Sequence, residues 1–157
     1  SNLETYAPMG IEEEEAWFTA MKSRPIDEHN LVIEVHPDGQ DQEWVAIGNI
    51  SFFPIDQIAR SVEIGIMIGE KDYWNKGYGT EAMRTMYRYG FEVLNLNRIW
   101  LRVYDTNPRA KRAYEKAGFV YEGTMRQAFY KHGQYIDAHV MSILKSDWIE
   151  SRKDVAH

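Results

Sequence analysis

A chain of 157 residues, 44% hydrophobic and 27% charged, has the make-up of one globular domain large enough for a real core. Its net charge of −6 speaks against a nucleic-acid-binding surface and tolerates a cationic substrate. The absence of cysteine excludes disulfides, a thiol nucleophile and cysteine-ligated zinc. No run approaches the roughly 18 apolar residues of a membrane span and no signal-peptide pattern opens the chain, so the expectation is a cytoplasmic protein with no membrane partner.

In chain order, residues 1–10 read as irregular, with Pro8 and Gly10 as breakers. Residues 11–22 read as a helix whose first turns, Glu12 to Glu15, suit the positive end of the macrodipole. A short apolar strand over 31–35 stops at Pro37-Asp38-Gly39, a turn signal. A second strand covers 43–53, with Gly48 as a bulge candidate. In the third, 61–69, Val62, Ile64, Ile66 and Ile68 alternate with Glu63, Gly65, Met67 and Gly69. Three strands with short connections suggest an antiparallel meander.

Met83, Met86, Tyr87, Gly90, Phe91 and Leu94 then fall at helical spacing over 80–94. A strand follows at 98–104, so 61–104 reads as a βαβ unit with a parallel pair. Asn107 as N-cap and Pro108 at the first helical position open another helix, which Gly118 ends. Residues 119–126 and 130–144 read as strands around a His132-Gly133 turn, and 147–153 as a short polar helix or frayed tail within a C-terminal tail of 147–157. His132 and His139 read as loop and strand residues, because no third metal ligand stands at recognisable spacing. No metal is expected. The whole chain, 1–157, reads as a single domain.

The stretch Tyr73-Trp74-Asn75-Lys76-Gly77-Tyr78-Gly79-Thr80-Glu81-Ala82 lies between strand and helix. Glycines allow a tight turn and close approach of a ligand to the backbone. A helix start adds unpaired N–H donors and partial positive charge, a combination suited to phosphate or pyrophosphate. Gly77-x-Gly79-x-x-Ala82 also fits a relaxed dinucleotide fingerprint. That reading fails on context: the turn does not follow its strand directly, no acidic residue stands about 20 positions on, and the preceding strands form a meander. A Walker A loop is excluded because Gly-Lys-Ser/Thr is absent. Downstream, Asn107-Pro108-x-Ala110-x-x-x-Tyr114-x-x-x-Gly118-Phe119 places Ala110, Tyr114 and Ala117 on one helical face. Tyr114 projects a hydroxyl from a face with room beside it; a core tyrosine is the plainer alternative.

These two constellations, in this order and spacing over roughly residues 10–148, resemble the GCN5-related N-acetyltransferase superfamily, and most closely its ribosomal-protein-alanine and spermidine acetyltransferase branch. The resemblance implies an α/β fold: a mixed central sheet with an antiparallel meander, one βαβ parallel pair and a C-terminal hairpin, flanked by helices. The family's usual first strand and helix have no counterpart ahead of residues 11–22. The strand at 31–35 would then be an exposed edge that dimerisation would cover.

The resemblance also implies acetyl-CoA as co-substrate. Asn75, Lys76, Gly77, Tyr78, Gly79 and Thr80 match the pyrophosphate loop, while Trp74 takes the position of the family's Gln or Arg. The backbone of Ile66, Met67 and Ile68 would pair with the pantetheine arm. Asn107 would bind the pantetheine or help shape the cleft, Ala110 and Tyr114 would belong to the CoA-binding set, and Tyr114, beside the CoA sulfur, would be the general acid. The N–H of Met67 is the candidate oxyanion donor. Glu63 is the candidate base, with a surface or salt-bridged Glu as the alternative. The function implied is direct acetyl transfer to a protein N-terminal amine or to a small amine such as a polyamine or aminoglycoside. The rival is a non-catalytic acyl-CoA-binding or regulatory module.

Overall fold

The computed structural model describes residues 30–36, 43–69 and 71–155. The expected helix at 11–22, the irregular stretch 1–10 and the Pro37-Asp38-Gly39 turn lie outside these residues. The described chain forms a six-stranded sheet flanked by helices. The strands are β1 (Asn30–Val35), β2 (Val45–Phe52), β3 (Ser61–Ile68), β4 (Arg98–Tyr104), β5 (Val120–Lys131) and β6 (Gln134–Leu144), in the spatial order β1-β2-β3-β4-β6-β5. The helices are α1 (Tyr78–Glu92), α2 (Pro108–Lys116) and α3 (Lys145–Val155). Strands β1, β2 and β3 form the expected antiparallel meander, β3 and β4 are parallel, and β5 and β6 form the hairpin.

The period-two pattern of β3 and β4 sends Val62, Ile64, Ile99, Leu101 and Val103 to one face, where each is buried. Met83, Met86 and Phe91 of α1 cover that face and are themselves buried. Gly90 lets the helix lie close: a Cβ there would come within 2.9 Å of Ile99 Cδ1. Residues 147–155 of the expected tail belong to α3, whose Trp148 packs on Phe91 at a ring separation of 5.5 Å and joins the core.

The bulge expected at Gly48 lies there: Ile33 pairs with Gly48 and Glu34 with Ala46, leaving Ile47 as the extra residue. Gly48 also serves close packing, since a Cβ there would lie 2.0 Å from the carbonyl oxygen of Met67. One local expectation is corrected. In the hairpin, β5 runs on to Lys131 rather than ending near residue 126. An irregularity between Met125 and Phe129 breaks its alternation, with Gln127 at φ 51 and its N–H donating to Asp137 Oδ1 at 2.7 Å. The His132-Gly133 turn stands where expected, both residues at positive φ.

Candidate active site

Strands β3 and β4 pair over three positions: Ser61 with Arg98, Val62 with Ile99, and Glu63 with Trp100. Beyond these, β3 continues along β2 and β4 along β6, but not along each other. A gap therefore opens toward the C-terminal ends of the two strands. Peptide groups alternate in direction along a strand, which decides what faces the gap. Glu63 O accepts from Phe53 N at 2.9 Å and Gly69 N donates to Ile47 O at 2.9 Å, so the odd-numbered groups point to β2. Arg60 O accepts from Arg98 N at 3.2 Å, so the even-numbered groups point toward β4. Ile64, Ile66 and Ile68 thus present backbone groups to the gap, whereas Met67 turns its N–H to β2. The N–H of Met67, expected as the oxyanion donor, therefore does not face the gap.

Two helix N-termini stand at the open end. Gly77 precedes α1 in the left-handed region, φ 83, and supplies no side-chain cap. Asn75, at φ 62, makes the other tight bend. The first helical bond shown runs from Glu81 N to Gly77 O at 3.0 Å, ahead of which lie the N–H groups of Tyr78, Gly79 and Thr80. Lys76 extends over the ring of Tyr73, 5.6 Å from its centroid. Thr80 Oγ1 donates to Ala113 O of α2 at 3.3 Å, tying the two helices together.

Asn107 caps α2 as its residue type predicts: its side-chain oxygen accepts from Ala110 N at 3.2 Å, and the residue is buried. Asn107 therefore shapes the cleft by fixing where α2 starts. Gly118, at φ 98, ends the helix in the left-handed conformation. Ala110 and Tyr114 are partly buried against the core, with Tyr114 packed on Phe119 at 6.2 Å between centroids.

Trp74, where the chain departs from the family loop, has a defined place. Its Nε1 donates to Ile68 O at the end of β3, at 2.8 Å, and Arg109 of α2 stacks over its ring at 3.8 Å. Sequence reasoning did not single out Arg109; it is the second residue of a helix, and nothing local marks it. Its Nε is buried with no hydrogen-bond partner among the described residues. Burial lowers the pKa of this guanidinium and the nearby Tyr114 raises it, while Arg112 adds to the lowering.

Glu63 stands where β3 and β4 part. Both of its carboxylate oxygens accept from Arg102 of β4, at 2.6 and 3.1 Å. The salt-bridged alternative is thus what the structure contains. His139 is held between Asp105 Oδ1 and Thr124 Oγ1, each at 2.9 Å, and His132 lies in the hairpin turn. Among the described residues no three His, Asp or Glu side chains gather as a metal site.

A mixed sheet with one parted parallel pair and two helix N-termini at its open end is the arrangement that the resemblance implies. The family model for the GNAT acetyltransferase domain matches residues 3–120, and the chain belongs to that family. It is 34% identical over 110 residues to spermidine N(1)-acetyltransferase of Vibrio cholerae serotype O1, a match covering 70% of this chain and 63% of that protein. It is 37% identical over 101 residues to YdaF of Bacillus subtilis, named for a proposed ribosomal N-acetyltransferase activity, covering 64% of this chain and 55% of that protein. The crystal structure of the Vibrio cholerae spermidine N-acetyltransferase in complex with CoA and spermine superimposes with a TM-score of 0.75 at 31% identity, over 90% of this chain and 79% of that one. The chain thus matches less than two thirds of the length of these two curated relatives.

Proposed function

We propose that this chain moves an acetyl group from acetyl-CoA to a primary amine, with a polyamine such as spermidine as the favoured acceptor. The observation that carries the reading is the β3–β4 gap with the uncapped start of α1 at its mouth. The gap offers peptide groups to a pantetheine arm and the helix start offers N–H donors to a pyrophosphate. The relatives named for spermidine acetylation and the acidic balance of the chain support a cationic acceptor.

The transfer is direct. The neutral amine attacks the thioester carbonyl, and the oxyanion forms against the N–H of Ile66 or Ile68. The ammonium of the tetrahedral adduct loses a proton to water, the C–S bond breaks to leave the amide, the Tyr114 hydroxyl gives its proton to the CoA thiolate, and the tyrosinate takes a proton back from solvent. A thiolate whose acid has a pKa of about 8.5 asks little of its proton donor, so a tyrosine near 10 suffices. Glu63 is assigned to bracing the closed end of the gap through Arg102, because accepting the amine proton would compete with that pair.

The test is thiol release from acetyl-CoA in the presence of spermidine, an aminoglycoside, or a peptide with a free N-terminal alanine. Turnover with spermidine well above the acceptor-free rate is expected. Acetyl-CoA binding without turnover on any of these amines would replace the enzyme by an acyl-CoA-binding module.

A further inference from the structure

Beside the start of α1 lies a cleft of about 600 Å³ lined by Lys76, Gly77, Thr80, Glu81, Arg84 and Lys116. Three cations and one carboxylate share it, in a chain whose net charge is −6. None of the three cations has an ion-pair partner among the described residues. Arg84 is held in position: its Nη2 donates to Lys116 O at 2.9 Å, across from α1 to the end of α2. The neighbouring Tyr87 does not neutralise it, because burial raises the pKa of that phenol while Arg84 opposes the rise.

The cleft extends past the helix start. Arg84 stands four residues beyond Thr80, about 6 Å along the helix axis. A ligand whose pyrophosphate rests on the N–H groups of residues 78–80 therefore meets a second positive site about one turn further on. We propose that Arg84, Lys116 and Lys76 form a subsite for a second phosphate, the 3′-phosphomonoester on the ribose of CoA. A phosphomonoester carries close to two negative charges at neutral pH, which matches the excess of two positive charges lining the cleft. The subsite rests on the acyl-CoA reading and adds what selects the ligand: CoA is preferred over its dephosphorylated form, although both carry the pyrophosphate and the pantetheine arm.

Calorimetric titration with CoA and with 3′-dephospho-CoA tests this. The wild-type chain should bind CoA about tenfold or more tightly than dephospho-CoA, a preference that shrinks as salt screens the charges. The double variant Arg84→Met, Lys116→Met should bind CoA no better than dephospho-CoA and leave the dephospho-CoA affinity where it was. Arg88→Met, on the same helix but paired with Glu92, should keep the full preference. Equal affinity of the wild type for the two ligands would overturn the subsite and leave the acyl-CoA reading standing. The same holds if the double variant keeps the preference. Binding of neither ligand would remove both.

Discussion

The guanidinium of Arg109 lies 3.8 Å from the ring centroid of Trp74, and the indole N–H of that ring donates to Ile68 O at 2.8 Å. Through these contacts the helix that follows β4 is joined to the end of β3, across the mouth of the gap between them. A stacked cation contributes about 0.5–2 kcal/mol and the hydrogen bond about 1. Trp74→Phe keeps the ring face and should cost about 1 kcal/mol in denaturant unfolding. Trp74→Ala loses both contacts and should cost about 2 kcal/mol or more, with weaker acetyl-CoA binding. Equal losses for the two variants would mean that the stack contributes nothing.

Gly77→Ala separates strain from ligand binding. The added methyl meets no atom within 4 Å, so the cost is that of an L residue at φ 83, about 1–2 kcal/mol. If the turn is the pyrophosphate cradle, the acetyl-CoA dissociation constant should also rise about tenfold or more. An unchanged constant in the folded variant would make the turn purely structural.

Tyr114→Phe removes the proposed proton donor and leaves the ring packed on Phe119. A positioned general acid contributes about 10²–10⁴ in rate, so kcat should fall by that order while acetyl-CoA affinity holds. A rate within about twofold of wild type would take Tyr114 out of the chemistry.

Glu63→Gln tests the brace. The pair crosses from β3 to β4 and is partly exposed, with Arg102 at 36% and Glu63 at 14%, so solvent screening limits its contribution to about 1 kcal/mol. The variant should lose about that much stability and keep the wild-type pH profile of kcat/KM. Loss of the acidic limb of that profile would identify Glu63 as the base after all.

What the sequence made legible was local. Asn107 with Pro108 announced a helix start, Gly118 its end, and Gly77 a left-handed turn, because each acts through its own backbone. The alternation in 61–69 revealed a strand with one buried face. What it hid was relational. That β3 and β4 stay paired only as far as Glu63 and Trp100 depends on β2 and β6 drawing them apart. The Glu63–Arg102 pair joins residues 39 apart, and Arg109 meets Trp74 only once both strands are in place. The direction of the Met67 N–H follows from the β2 register, which composition does not reveal.

The most direct measurement is amide hydrogen exchange at Ile66 and Met67, with and without saturating acetyl-CoA. Met67, turned to β2, should be protected in both states. Ile66, facing the gap, should exchange faster in the free protein and slow about tenfold or more when the pantetheine arm pairs with it. An Ile66 amide that exchanges at the same rate with the ligand bound would contradict the placement of acetyl-CoA between β3 and β4.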